Sequence, residues 1–445
     1  MGPSSISRRI AAAAACFAAC VVLAFVIAAY VADETRPGHA GPLTDPTDFV
    51  AFYCGASVLA HGHDPYRAEP LRACEDAAFA ESRIVMMQHL VVPAPLPPYA
   101  LAFFEPFAWF SFRFACVAFF FVSIAVTGAA VAAAHRLSKV PLAFVCTAIV
   151  VALGVGSIYI GQLVPVVVSA LAAGALAARA GKMWLAAACV TVAMIEPNIG
   201  LAAFVALFAL ERRARVAVAA MCALLVAISL ATGGAALNVE YATRVLPAHA
   251  LSEVANFHAQ YSLTAVAYAL GAAPELAVRL GEASYAAMLA AGIWLAARLR
   301  RTYGDGAFVV LTAPACVLAG GVFLHDHQMA VALPFAFTLA RYARGRVAIL
   351  TATAIVAIPW QSLFELFLVP LFPSHVRFDP GSALALVSNG SLLAETSWRV
   401  WIDSLGGRDG RTPFEMLLFK LPPWLALAAL AYYALRPALR SAIRR

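Results

Sequence analysis

Charge is the scarcest property of this 445-residue chain. Asp, Glu, Lys and Arg make up 12% of it, about half the share of a soluble domain. Hydrophobic residues make up 63% and mean hydropathy is +0.83. No single soluble core can hide that excess, so a soluble enzyme is excluded. Disorder is excluded as well, because disordered chains are poor in apolar residues. The nine cysteines contain no CxxC and no Cys/His metal spacing, which leaves no zinc or redox motif. No repeat of about 20–50 residues is present, and the two halves lack corresponding broken helices, which weakens an inverted-repeat transporter reading. The net charge of +7 is modest, and its basic residues flank apolar runs, so nucleic acid is not an expected partner.

Long apolar runs fill the chain. They cover 10–32, 113–134, 140–158, 162–179, 183–210, 214–232, 283–299, 307–324, 328–342, 346–370 and 417–436. The first, behind Arg8 and Arg9, is ~23 residues long, enough to cross a ~30 Å bilayer core, and reads as a retained helix rather than a cleaved signal. Glu196-Pro197-Asn198 splits the run 183–210 into two short crossings. The expected architecture is one all-α, polytopic membrane domain over 1–445, with about 10–13 transmembrane helices of the usual ~20-residue length. Stretches 97–110 and 262–272 are left over as re-entrant or surface helices.

Lys and Arg set the orientation. Nineteen of the 31 fall in seven clusters, among them Arg136/Lys139, Arg179/Lys182, Arg212/Arg213/Arg215, Arg298/Arg300/Arg301 and Arg341/Arg344/Arg346. With these and both termini cytoplasmic, the outer face collects the 33–98 loop, Gly161-Gln162, Glu196, the 233–282 segment, His325-Asp326-His327 and the 371–416 loop. The 33–98 loop holds nine acidic residues against four Arg, as an exported loop should. Such a layout suits a plasma (inner) membrane protein that works on something at the outer surface.

In that first loop, Thr47 is a candidate N-cap, and Phe49, Phe52, Tyr53, Ala56 and Leu59 recur at helical spacing. The expectation is an amphipathic helix on the membrane surface, with Asp48 in its first turn. Asp48 reads equally as a capping acid favoured by the helix dipole. A second short helix follows Asp64-Pro65-Tyr66, and Pro93-Ala94-Pro95-Leu96-Pro97-Pro98-Tyr99 leads back to the membrane. Cys54 and Cys74 are the only cysteines outside apolar runs. An oxidising compartment would let them close a ~20-residue loop, a gain of about 3 kcal/mol in the chain-entropy model; two unpaired thiols are the alternative.

A first apolar helix, then Asp48-Phe49-x-x-Phe52-Tyr53, Gly62-x-Asp64-Pro65-Tyr66 and Pro97-Pro98, resembles glycosyltransferase family 87. Downstream, Tyr159-Ile160-Gly161-Gln162 is similar to that family's G-Q turn, Glu196-Pro197-Asn198-Ile199-Gly200 to its K-P-x-x-G, and Leu324-His325-Asp326-His327 to its late histidines. The likeness runs from about Asp48 to Leu333. Two positions depart from it: Val164 stands for the Asn of G-Q-x-N, and Glu196 stands for the lysine, a cation that could have faced a lipid-linked phosphate.

The resemblance implies a GT-C-like fold and an inverting mannosyl transfer from a polyprenyl-phosphate donor to a lipid or glycan acceptor, with no cofactor and no metal. Such a reaction needs a base on the attacking hydroxyl and fixed donors or cations on the departing phosphate. Asp48 is carried to the base, with Asp45 in reserve. Tyr53, Gln162, Glu196, His325 and His327 are the candidate substrate contacts, with Arg244 as a further cation. Each has a plainer reading: His325-Asp326-His327 as a polar turn, Glu196 as a helix cap, Tyr159 as an interfacial belt residue. Two histidines two apart without a third ligand make a poor metal site. From another class, a proton-coupled transporter or flippase would use Glu196, His325 and His327 as a relay. A non-catalytic member of the same fold is the third reading.

Overall fold

The computed structural model describes residues 47–81, 91, 94–255, 260–360 and 420–443. The first apolar run, Asp45 and the 371–416 loop lie outside them. Among the described residues every named element is helical. In chain order these are α1 (Thr47–Ala60), α2 (Ala68–Glu81), α3 (Pro98–Ala108), α4 (Phe112–Ser138), α5 (Leu142–Leu153), α6 (Val164–Arg179), α7 (Met183–Ala193) and α8 (Pro197–Leu210). There follow α9 (Arg215–Glu240), α10 (Leu246–Ala255), α11 (Leu263–Ala269), α12 (Pro274–Tyr303), α13 (Ala307–Val317), α14 (Ala332–Tyr342), α15 (Arg346–Ala357) and α16 (Leu421–Ile443).

Among the described residues, three stretches are long and apolar enough to cross a membrane: Phe112–Ser138, Arg212–Leu251 and Pro274–Tyr303. Seven shorter apolar helices accompany them. On α4 the exposed Phe114, Val117, Phe121 and Ile124 form an outward stripe at helical spacing. A row of that kind is poorly tolerated in water but is the normal face of a helix in lipid. The opposite face carries the small buried residues Ala115, Cys116, Ser123, Thr127, Ala130 and Ala134, which let α6 pack closely against it. The chain is a multi-pass membrane protein.

A break at Glu196 is present, between α7 and α8, but with 11 and 14 residues neither helix reaches the ~20 residues of a full crossing. Pro197 removes one backbone donor there. Gly200 makes the sharp turn possible, since a Cβ at that position would lie 2.3 Å from the Ala193 carbonyl oxygen. The leftover stretches also form helices. At 11 residues, α3 is ~16 Å long, too short to cross the bilayer core. With seven residues, α11 is shorter still.

One expectation is corrected. Helix α1 is not amphipathic, because Phe49, Val50, Ala51, Phe52, Cys54, Ala56, Val58 and Leu59 are all buried. The reason is an aromatic nest contributed by α3 and α4. The ring of Phe49 stacks on Phe119 with centroids 4.6 Å apart and meets Phe107 edge-on at 5.9 Å; Phe52 stacks on Phe104 at 5.2 Å. A helix apolar on every side is a buried one. The Cys54–Cys74 disulfide, with Cα atoms 5.6 Å apart, ties α2 to α1.

Basic connections gather at one end of the bundle. The guanidinium of Arg179 holds both carboxylate oxygens of Asp305, with its closest contact at 2.6 Å. It also donates to the Leu137 carbonyl at 3.0 Å, at the last turn of α4. There Arg341 donates to Leu137, Arg346 to Lys139 and Arg300 to Leu210. These cations take up carbonyls that helix C-termini leave unpaired. Gln162, at the other end of the 16-residue α6, is ~24 Å away along the helix axis.

Candidate active site

Four separate stretches meet at that far end. The backbone N–H of Asp48 donates to the Ile160 carbonyl at 3.0 Å. Gly161 then adopts φ +76°, a left-handed turn that favours glycine. The turn carries Gln162 back so that its amide donates to the Asp48 carboxylate. With Phe49 locked in the aromatic nest, the half-buried Asp48 carboxylate is held from both sides.

Glu196 is buried in the α7–α8 connection. Its carboxylate accepts from Gln328 at 3.1 Å, and the Gln328 side chain also accepts the backbone N–H of His325 at 2.9 Å. Nearby, Tyr99 donates to the Met194 carbonyl at 3.0 Å. Burial pushes the Glu196 carboxyl up to about 7, against the opposing pull of Gln328 and His325. A carboxyl titrating near neutrality can hold or release a proton under working conditions.

The rings of His325 and His327 stack almost in parallel, centroids 5.4 Å apart with an interplanar angle of 5°. Burial acts to lower both. In His325 this is outweighed by the hydrogen bond and charge of Glu253 and by the charges of Asp48 and Glu196, so its pKa is raised. His327, with burial and the charge of His325 acting together, is held well below its ordinary value. The stack therefore pairs one imidazole that favours its cation with one that stays neutral.

Further residues that the short motifs did not point to complete the constellation. Glu253 lies 3.5 Å from His325 Nε2 and 3.8 Å from His249 Nε2. Gln260 donates to Glu253, lies 3.3 Å from His325 Nε2 and pairs with His325 in an isolated antiparallel bridge. Lys420, at the start of α16, donates to the Gln260 carbonyl. Among the described residues no three His, Cys, Asp or Glu side chains are grouped so as to hold a metal ion.

Two candidates lie elsewhere. Tyr53, five residues beyond Asp48 and so about 140° around the helix, donates to the Phe110 carbonyl at 2.8 Å. Arg244 is an exposed side chain 3.4 Å from Glu240, which also pairs with Arg67. It flanks an open groove of about 530 Å³ lined by Ala235, Ala236, Val239 and Thr243.

The model of glycosyltransferase family 87 matches residues 96–325, just over half of the chain. The chain belongs to glycosyltransferase family 87. It is a membrane glycosyltransferase, acting on a sugar donor and an acceptor. Within the match lie Gln162, Glu196 and His325; Asp48 and Tyr53 precede it, and His327 follows it. Neither the curated proteins nor the solved structures gave a match.

Proposed function

We propose that this glycosyltransferase moves mannose from a polyprenyl-phosphate donor to a lipid or glycan hydroxyl at the outer face of the plasma (inner) membrane, with inversion and within a GT-C-like fold. The observation that carries the proposal is the convergence of Asp48, Gln162, Glu196 and His325 at one end of the bundle, from stretches up to 277 residues apart. Asp48 is the base. It takes the proton of the acceptor hydroxyl as that oxygen bonds to the anomeric carbon. The bond from that carbon to the phosphate oxygen breaks on the opposite face, and the electron pair leaves with the polyprenyl phosphate. Gln162 fixes the carboxylate. His325, in its cationic form, takes the negative charge that builds on the leaving phosphate, while Glu196 holds Gln328 and neutral His327 backs the His325 ring.

Support for this orientation comes from the basic end, which the positive-inside rule associates with the cytoplasm, and from the disulfide on the first loop, which suits an oxidising compartment. A transporter would want its ionisable groups near the bilayer midplane, and family membership supports transfer over transport. The test is to incubate purified protein in lipid nanodiscs with polyprenyl-phosphate-linked radiolabelled mannose and a membrane lipid extract. Label passing into lipid or glycan products is the expected result. Intact donor, with label transferred from another lipid-linked sugar, would replace mannose; no transfer from any such donor would favour the non-catalytic reading.

A further inference from the structure

We propose that Lys420 is a positioning residue for His325, holding shut a two-stranded clasp that keeps Glu253 against the imidazole. The clasp is small. On one side are Gln260 and Tyr261, on the other Leu324 and His325. The Tyr261 N–H donates to the Leu324 carbonyl at 2.6 Å, and the Leu324 N–H donates to Gln260 Oε1 at 2.6 Å. The Gln260 amide nitrogen reaches both Glu253 and the edge of His325. A pairing of two residues has little stability of its own in water and needs support from outside.

Lys420 supplies that support from a stretch 160 residues away. Its side chain is buried at 2% exposure. Its ammonium donates to the Gln260 carbonyl and lies 5.8 Å from the Tyr261 ring centroid, so it holds both residues of one strand at once. Burying a lysine is costly, and a leucine or methionine would fill the same space. Either protonation state of its amine keeps N–H donors for the carbonyl.

The proposal rests on the reading of His325 as the cation for the leaving phosphate, and it has a signature that simple packing lacks. The groups acting on His325 are Glu253 and His249 from α10, Asp48 from α1, Glu196 from the α7–α8 connection, Gln260 from the clasp and His327 beside it. Removing the Lys420 charge by itself would raise the His325 pKa or leave it alone. Releasing Gln260 also removes an amide N–H that faces Nε2 and opposes the cation. Letting Glu253 drift from the imidazole, however, removes the hydrogen bond and charge that raise the His325 pKa, and this larger effect would lower it.

The experiment uses the full chain in nanodiscs with ¹³C-labelled histidine, His325 being identified by the signal lost in His325→Gln. In Lys420→Met the His325 titration midpoint should fall by about one pH unit, the scale of a nearby carboxylate's influence. Lys420→Arg, which keeps the donor, should stay near wild type. If Lys420→Met does not fold, Lys420→Gln carries the same test, being polar but too short to reach the Gln260 carbonyl. A midpoint that stays or rises in the folded variant overturns the proposal. With polyprenyl-phosphate-linked mannose, kcat should fall by about 10–10²-fold with KM unchanged, and the alkaline limb of the pH profile should move to lower pH. The titration needs no substrate. A wild-type enzyme that refuses this donor therefore removes the proposed reaction while the Lys420 result still stands or falls alone.

Discussion

The two ends of the helical bundle each bury a carboxylate, and they treat it in opposite ways. At the basic end, burial pushes Asp305 up, but hydrogen bonds from Arg179, the Ala307 N–H and Tyr342, together with the charge of Arg179, outweigh it and hold the group below its ordinary value. At the other end Glu196 receives the neutral amide of Gln328, and its carboxyl stays raised. Among the described residues no Lys or Arg forms a salt bridge with Glu196. The first end is satisfied as it stands, and its work is to join α4, α6, α13 and α14. The second meets its carboxylates with the amides of Gln162 and Gln328 and with the His325 imidazole rather than with a guanidinium group, partners that leave room for a change of charge during a reaction.

Substituting one carboxylate at each end should separate these roles most sharply. Asp48→Asn keeps the shape and still caps a helix, yet an amide cannot take the hydroxyl proton. Turnover should drop by about 10²–10⁴-fold with donor binding and melting temperature preserved. Near wild-type turnover in Asp48→Asn would move the base elsewhere, to Asp45 first and Glu196 next.

His325→Gln comes second, since it removes the cation but leaves a hydrogen-bonding side chain. A loss of about 10²-fold in kcat, of the size found on removing one charge-stabilising donor, is expected in steady-state transfer assays. Equal activity would mean that His325-Asp326-His327 is only a polar turn.

Asp305→Asn should behave in the reverse manner. It leaves Arg179 without its carboxylate and should cost about 3 kcal/mol, the low end for breaking a buried pair, while the turnover of the folded fraction is unchanged. The sign with pH follows from the lowered pKa. The stabilisation is present above the unfolded value of about 3.9 and is lost as pH falls through the lower folded value. The gap in melting temperature between wild type and Asp305→Asn should therefore begin to narrow below about pH 4 and close only once pH is below the lowered folded value. A gap that does not narrow as pH falls through this range would refute the ion-pair account.

What the sequence made legible at the site was local. Asp48 opens a short motif, and Gln162 follows the one glycine that turns the chain towards it, so both stand out from their neighbours alone. Glu196 announced itself as an ionisable group beside a helix-breaking proline in an apolar run. Glu253, Gln260, Gln328 and Lys420 could not be named in the same way. Each is polar but follows no spacing rule, and its role exists only once α10, the clasp and α16 are packed together. The same reason explains α1. Its apolar residues gave the helix, but the rings that bury its outer face belong to α3 and α4, so a surface helix was the natural reading. The Cys54–Cys74 pair stood between two outcomes because separation along the chain sets the loop entropy and not the Cα distance. Replacing either cysteine by serine should cost about 3 kcal/mol in the chain-entropy model, and an unchanged melting temperature would mean that the aromatic nest alone holds α1.

The smallest expected effect belongs to Tyr53, which the family likeness placed among the substrate contacts. Its hydroxyl is taken by the Phe110 carbonyl at 2.8 Å, and its ring meets Phe112 edge-on at 5.3 Å. Both contacts fasten α1 to the entry of α4, on a different side of the helix from Asp48. Tyr53→Phe should keep the ring contact and lose one hydrogen bond, about 1 kcal/mol of stability, with kcat and KM unchanged. A tyrosine that touched the sugar in the transition state would behave otherwise: kcat/KM would fall by about tenfold or more, equivalent to roughly 1.4 kcal/mol of transition-state binding, with little change in melting temperature. That second pattern would mean the hydroxyl leaves Phe110 when substrate arrives, and would bring the half-buried side of α1 into the site.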